Sequence, residues 1–206
     1  MLKVGLTGSI AVGKSYVCRY LREGGCHVLD ADQTSREVVA PGTEGLQAVV
    51  SRFGNDILKP TGELDRAKLG SIVFADETKL KILNSIIHPL VFAAQDAWVK
   101  AAEMEEPGGV AVIDAALMIE SGGYKRFDKL IVVWCRPALQ LKRLMLRDGL
   151  DESDARKRIA AQMPQDEKKR FADYLIDTSD DLESTRRQTQ FILDELRRAA
   201  ANADDS

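Results

Sequence analysis

Four residues near the amino terminus, Gly8, Gly13, Lys14 and Ser15, have the spacing G-x-x-x-x-G-K-[ST], which is typical of loops that bind nucleotide phosphates. Such a loop directs backbone N–H groups inward, and the helix that follows adds its positive dipole end. Lys14 would reach the terminal phosphates, and the Ser15 hydroxyl would be a ligand for the accompanying Mg²⁺. The predicted nucleotide contacts are Gly8, Ser9, Ile10, Ala11, Val12, Gly13, Lys14, Ser15 and Tyr16.

The same spacing also occurs in a glycine-rich turn that binds no ligand. The flanking sequence favours the phosphate site, because residues 2–6 are an apolar run typical of a strand and Val17, Cys18 and Leu21 follow with helical spacing. The motif therefore has the strand before it and the helix after it that a phosphate loop requires.

Carboxylates follow two further predicted strands. Residues 26–29 are followed by Asp30 and Asp32, and residues 110–113 by Asp114. Because ligands of open parallel sheets bind outside the carboxyl ends of the strands, these carboxylates are expected at the edge that carries the phosphate loop. Asp114 there predicts a metal ligand, although an aspartate at a strand end is common.

Asp32 has two interpretations. It is a natural N-cap for a predicted helix over residues 33–39, and it could also be a catalytic carboxylate near a phosphoryl acceptor. His88 also has two interpretations, either as a core or capping histidine or as a substrate contact. Pro89, directly after it, predicts the end or a kink of a helix at that point.

A basic segment follows the fourth predicted strand, residues 130–135. Residues 136–170 hold ten lysines and arginines against six acids, in a chain of net charge −3. Most of them are interpreted as a solvated helical face. Arg143 and Arg147, four residues apart, share one face of a helix, and a turn and a second helix over 152–163 follow. This pattern is typical of a mobile lid over a nucleotide.

The remaining sequence predicts a single α/β domain. No strand is apparent over residues 40–104, which have helical patterns, whereas 174–177 predict a fifth strand and 182–199 a closing amphipathic helix. Residues 200–206 are expected to be frayed.

Composition limits the partners and the cellular location that we expect for this domain. The net charge gives no argument for a nucleic-acid surface, and no apolar run approaches the ~18 residues of a membrane span. The amino terminus enters a strand rather than a signal peptide, so we expect a cytoplasmic protein. Cys18, Cys26 and Cys135 lack metal-ligand spacing, so buried reduced thiols are expected, without disulfide or zinc.

Together these segments make the sequence resemble the dephospho-coenzyme A kinase family over nearly its whole length. Beyond the loop, the resemblance includes Asp30-Ala31-Asp32, Leu64-Asp65-Arg66, His88-Pro89, residues 117–120, Arg143, Arg147, Gln162 and Ala172-Asp173. The family usually has glycine where this chain has Ser9 and Ala11, and asparagine where it has Thr178. Ala11 is the notable departure, because alanine resists positive φ.

The resemblance implies a three-layer P-loop NTPase-like fold with a five-stranded parallel sheet, a helical acceptor-substrate insert and a helical lid. The expected core comprises residues 1–32, 106–138 and 171–200, the insert 33–105 and the lid 139–170. The implied reaction transfers the ATP γ-phosphoryl group to the ribose 3'-hydroxyl of dephospho-coenzyme A, with Mg²⁺ as cofactor.

The same resemblance implies roles for individual residues. Asp32 would accept the hydroxyl proton, Lys14, Arg143 and Arg147 would neutralise phosphoryl charge, and Ser15 and Asp114 would hold Mg²⁺. Asp32, Arg66 and His88 would contact the acceptor.

Two alternatives remain open from sequence. One is a kinase of another nucleoside-like or nucleotide-like acceptor, since the fold does not fix the acceptor. The other is a nucleotide-gated switch, although the D-x-x-G and N-K-x-D segments of guanine-nucleotide switches do not occur.

Overall fold

A computed structural model describes residues 1–204 of the chain. It divides into two compact units. Unit 1 comprises Met1–Asp30 and the chain from Ala101 onward, and unit 2 comprises Ala31–Lys100.

Strands and helices alternate along the part of the chain that forms unit 1. The strands are β1 (Leu2–Thr7), β2 (His27–Asp30), β3 (Val110–Asp114), β4 (Lys129–Trp134) and β5 (Tyr174–Asp177). The helices of the whole described chain are α1 (Lys14–Glu23), α2 (Ala31–Glu37), α3 (Glu44–Phe53), α4 (Arg66–Phe74), α5 (Glu77–Glu105), α6 (Pro137–Asp148), α7 (Glu152–Ala160), α8 (Gln165–Lys168) and α9 (Leu182–Asp204).

The five strands form one parallel sheet in the order β2-β3-β1-β4-β5. The predicted α/β class and five-stranded parallel sheet are confirmed. The strands are apolar because helices cover a parallel sheet: Val4, Leu6 and Ile131 are completely buried, and Leu21 of α1 and Leu196 of α9 pack into the same core. Leu6 on β1 lies in register with Asp114 on β3, so the phosphate loop and the predicted metal ligand follow adjacent strand ends.

Unit 2 is helical, as predicted for residues 40–104, and contains α2, α3, α4 and most of α5. It has its own apolar core, in which Val49 and Ile57 are completely buried. Local caps fix the helix starts. The Thr43 hydroxyl accepts the Leu46 N–H at α3, and an Asp65 carboxylate oxygen accepts the Lys68 N–H at α4.

An end of the helix at Pro89, one of the two outcomes predicted there, was wrong, because helix α5 runs through this residue. A proline removes one backbone donor, and apolar contacts of Leu83 and Ile87 with the unit 2 core hold the helix on the amino-terminal side of that break. The expected fraying from residue 200 was also wrong through Asp204, because α9 continues and Ala200 is buried in the sheet core. Residues 205–206 lie outside the described chain.

No helix within residues 1–204 is long and apolar enough to cross a membrane.

Candidate active site

The two glycines of the motif are required by the geometry of the loop between β1 and α1. A Cβ on Gly8 would collide with the carbonyl of Val133 on β4 and approach the Val12 side chain to 2.9 Å. Gly13 has φ of 94°, a left-handed conformation that glycine adopts at little cost, and it caps α1. The chain therefore turns from strand to helix within six residues and leaves the helix amino terminus open to a ligand.

Ala11 also takes a positive φ, 60°, although it has a side chain. The loop thus keeps a left-handed residue here, and alanine does not divert it to negative φ. For a residue with a Cβ this conformation costs roughly 1–2 kcal/mol, which surrounding contacts must offset.

Lys14, Ser15 and Tyr16 form the first turn of α1. The Tyr16 N–H donates to the Gly13 carbonyl at 3.1 Å, whereas the Lys14 and Ser15 N–H groups lie at the helix end that favours an anion. The Ser15 side chain is exposed and accessible to a ligand. Tyr16 is half-buried, and its hydroxyl donates a 3.3 Å hydrogen bond to the carbonyl of Leu182. Tyr16 is therefore tied to the start of α9 by its side chain.

Lys14 and Asp114 meet at the ends of β1 and β3. The Lys14 Nζ lies 2.9 Å from Asp114 Oδ1, and about four-fifths of each side chain is buried. The contact is an ion pair. Within residues 1–204, no donor forms a well-aligned hydrogen bond to the buried Asp114 Oδ1. The other oxygen, Oδ2, accepts from the Cys18 thiol at 3.4 Å. The pair places one cation and one incompletely satisfied carboxylate beside the phosphate loop.

The three cysteines are buried, as predicted. Burial raises the pKa of the Cys18 thiol to about 12, with a further contribution from the nearby Asp114 carboxylate. Burial likewise raises the pKa of Cys26 to about 11. Both thiols are therefore protonated at neutral pH and are poor nucleophiles.

Arg143 on α6 is tied to the phosphate loop through Thr178. Its guanidinium donates to Thr178 Oγ1 at 3.0 Å and to the Thr178 carbonyl at 2.9 Å. The Thr178 hydroxyl in turn donates to the carbonyl of Val12 in the loop. Thr178 thus links the arginine to the loop.

Arg147, one turn further along α6, is held by its neighbour Asp148. Its Nε lies 2.7 Å from Asp148 Oδ1, and Arg158 of α7 donates to Asp148 Oδ2 at 2.9 Å. The Arg147 side chain is half exposed. Hydrogen bonding to Asp148 raises the Arg147 pKa. Arg143 is therefore linked to the phosphate loop through Thr178, whereas Arg147 bonds to a carboxylate of its own segment.

Sequence reasoning missed a buried lysine in the same segment. Lys168 of α8 is completely buried, and its Nζ donates to the Ala116 carbonyl at 2.7 Å and lies 2.9 Å from Glu120 Oε1. Burial lowers the Lys168 pKa, and the contact with Glu120 opposes that shift. The sequence offered no signal for this role, because Lys168 belongs to a run of three basic residues that resembles a solvated face.

The other predicted site residues belong to unit 2. Asp32 lies in the first turn of α2, exposed to solvent, so the interpretation as an N-cap was wrong: the helix begins at Ala31, one residue earlier. A carboxylate in a first helical turn still interacts favourably with the helix dipole. His88 is half-buried in α5, with its ring centroid 5.8 Å from that of Phe92 one turn later.

Arg66 begins α4 and donates to the carbonyl of Arg36 at 3.2 Å. The two arginines and Lys59 line a hollow of about 450 Å³ whose apolar wall includes Leu64. Burial lowers the Arg66 pKa, and the positive charge of Arg36 lowers it further. Glu63 and Asp65 also line the hollow, and Lys59 Nζ lies 3.4 Å from Glu63 Oε2, so the lining has mixed charge with a small excess of cations.

Comparison with known proteins accords with this geometry. The dephospho-CoA kinase family profile matches residues 2–184. The chain belongs to this family. Among its relatives, a dephospho-CoA kinase from Streptomyces avermitilis is 48% identical over 188 residues, which cover 91% of this chain and 90% of that protein.

Solved structures give the same fold. A dephospho-CoA kinase from Campylobacter jejuni superposes with a TM-score of 0.71 at 28% identity, covering 96% of this chain and 98% of the other. A Thermus thermophilus protein superposes with a TM-score of 0.79 at 28% identity, covering 95% and 97%. The family assignment therefore extends over both units of the chain.

Proposed function

We propose that this protein transfers the γ-phosphoryl group of ATP to the ribose 3'-hydroxyl of dephospho-coenzyme A, giving coenzyme A and ADP. The observation that carries the proposal is the phosphate loop of unit 1. Ala11 and Gly13 are left-handed there, Gly8 has no room for a Cβ, and Lys14 meets Asp114 beside the loop. Membership of the dephospho-CoA kinase family supports the choice of acceptor.

The unit 1 residues have the chemistry that phosphoryl transfer requires. Such a reaction needs little covalent work from the protein, which must hold the donor in line with the acceptor and neutralise charge on the moving group. Within residues 8–16 the Ile10, Val12 and Tyr16 N–H groups donate to other protein groups. The remaining backbone N–H groups of the loop, with those of Lys14 and Ser15, would bind the phosphates, and the Lys14 side chain would neutralise the transferred group. Arg143 is already tied to the loop, and Arg147 would join the phosphates by exchanging Asp148 for a phosphate oxygen.

The unit 2 residues would serve the acceptor. Asp32 is exposed two residues after β2, and in the proposal it accepts the proton of the 3'-hydroxyl, an effect typically of about 10² to 10⁴ in rate. Arg66 and His88 would bind the acceptor, and the adjacent guanidinium groups of Arg36 and Arg66 beside the hollow would hold its phosphates.

The residues near the loop are suited to Mg²⁺. Asp114 Oδ1 is buried without an aligned hydrogen-bond donor, and the Ser15 hydroxyl is exposed. No group of three or more His, Cys, Asp or Glu side chains within residues 1–204 could hold a metal alone. That is the usual situation for Mg²⁺, which takes one or two protein ligands and completes its shell with water and substrate phosphates. When bound, Mg²⁺ would neutralise charge on the phosphates.

A coupled assay of ADP release, with and without dephospho-coenzyme A, tests the proposal. We expect ADP release to depend on the acceptor and to match the coenzyme A formed. A parallel panel of nucleosides and nucleotides gives the competing outcomes. Turnover of another acceptor only would mean a different small-molecule kinase, and ADP release that ignores every acceptor would mean a nucleotide-gated switch.

A further inference from the structure

Ile10, at the tip of the phosphate loop, is held on both of its backbone groups by glutamine side chains. Its N–H donates to Gln162 Oε1 at 2.8 Å, and its carbonyl accepts from Gln140 Nε2 at 2.9 Å. Gln140 is 2% exposed. A buried amide of this kind is costly unless its polar atoms are bonded, so the contact is specific and does not result from general packing.

The orientation of the Gln140 amide is set by a third glutamine. The Cys135 N–H can only donate, and it lies 3.0 Å from Gln165 Oε1, which leaves Gln165 Nε2 to donate to Gln140 Oε1 at 2.8 Å. Gln140 Nε2 therefore faces the carbonyl of Ile10 as a donor. The chain of bonds begins at the end of β4 and ends at the loop, and each amide acts as both donor and acceptor.

The loop needs such an external restraint. Ala11, the next residue, is left-handed, and without outside contacts alanine would prefer negative φ. The internal bond that closes the tip, from the Val12 N–H to the Ser9 carbonyl, is long at 3.4 Å. Bonds to both sides of Ile10 fix the peptide units that precede Ala11.

We propose that Gln162 and Gln140 are positioning residues that hold the phosphate loop in its ATP-binding conformation. Gln162 follows α7, in the segment that contains Arg158, and its bond makes the loop conformation depend on where that segment lies. Neither glutamine need touch ATP, since each acts through the backbone of Ile10. The identity of the nucleotide rests on the proposed function, whereas the restraint on the loop does not.

Amide hydrogen exchange at Ile10, measured by NMR on protein labelled with ¹⁵N-isoleucine and without nucleotide, tests the restraint directly. In the wild type we expect a protected Ile10 amide. Gln162→Met keeps the length of the side chain but loses the acceptor, so exchange at Ile10 should accelerate roughly three- to tenfold. Gln162→Glu retains an acceptor oxygen and should restore the protection. Gln47→Met, at an exposed position on α3, is the matched control and should leave Ile10 unchanged.

Nucleotide affinity is the second measurement, by calorimetry with ATP and Mg²⁺ and without acceptor. Gln162→Met and Gln140→Met should each weaken ATP binding roughly three- to tenfold, and Gln162→Met should keep a wild-type melting temperature because Gln162 is partly exposed. Rapid Ile10 exchange in the wild type, or unchanged exchange and ATP affinity in Gln162→Met, would overturn the proposal. A wild type that binds ATP but ignores dephospho-coenzyme A would refute only the proposed reaction.

Discussion

Replacement of the buried Lys168 by methionine should destabilise the protein by about 2 kcal/mol. The aliphatic stem is retained, but the charge-assisted hydrogen bond to the Ala116 carbonyl and the contact with Glu120 are lost. A hydrogen bond to a charged group contributes roughly 1.5–3 kcal/mol. Removing one partner of a fully buried pair can cost about 3–5 kcal/mol, but two features of this site lower the expectation.

The first feature is that the Ala116 carbonyl keeps a second donor, the Thr7 hydroxyl at 3.2 Å. The second is that Glu120 is about a quarter exposed and still accepts the Met163 N–H at 3.1 Å, so its carboxylate can be hydrated. The variant also avoids the cost of burying an ammonium group. The net loss corresponds to a fall in melting temperature of roughly 4–8 °C.

Urea unfolding followed by circular dichroism measures this loss. The control is Lys142→Met, at an exposed position on α6, which should change stability by less than about 0.5 kcal/mol. An unfolding free energy for Lys168→Met equal to or above that of the wild type would refute the reasoning, because it would show that burial of the charge outweighs its contacts.

The lowered Lys168 pKa also predicts how the difference in unfolding free energy between the wild type and Lys168→Met changes with pH. Burial lowers the Lys168 pKa below its ordinary 10.5, so between the folded and unfolded pKa values the unfolded chain binds more protons. The stabilisation linked to this group is complete above 10.5 and is lost as the pH falls through the folded pKa. The wild type should therefore gain stability relative to Lys168→Met as pH rises from neutral towards 10.5, and a difference that shrinks would contradict the pKa shift.

Three further predictions concern the proposed reaction. Lys14→Met should lower turnover by at least about 10²-fold with the fold retained, checked by ADP release and circular dichroism; near-normal turnover would exclude Lys14 from charge neutralisation. Asp32→Asn should bind both substrates but turn over at least about 10²-fold more slowly, whereas Asp30→Asn, its matched control, should not; equal losses would indicate a general electrostatic effect. Arg147→Ala should lower kcat more than it weakens acceptor binding. The control Arg156→Ala, on α7, should change neither kcat nor acceptor binding. If Arg147→Ala leaves kcat unchanged and weakens binding of both substrates equally, Arg147 has no role at the phosphates.

The parts of the fold that follow from local patterns could be predicted from sequence. Apolar runs with β propensity located all five strands, and the end of β3 located Asp114 beside the phosphate loop. For the central strands β1, β3 and β4 the prediction succeeds because a parallel strand buried on both faces is apolar for most of its length. The edge strands β2 and β5 are less buried, but each still has a short apolar run that ends at an aspartate.

The polar interior of the site could not be predicted in the same way. Gln140 belongs to the buried face of α6, and Lys168 to a run of basic residues, yet both side chains are buried with specific partners. Those partners, the carbonyls of Ile10 and Ala116, are 130 and 52 residues away in the chain. Nothing in the local pattern distinguishes such a side chain from a solvated one, because the burial depends on which distant backbone groups lack a donor.

The left-handed Ala11 has a consequence for how the phosphate loop acquires its shape. A peptide that contained only residues 7–16 would relax to negative φ at this alanine and would lose the arrangement of N–H groups that attracts an anion. The anion site is therefore a product of the completed tertiary structure and is not encoded in the motif alone. Because the bonds to Ile10 come from α6 and from the segment beyond α7, we expect the loop to take this shape only after both have docked. Phosphate affinity should then be among the last properties that the refolding chain regains.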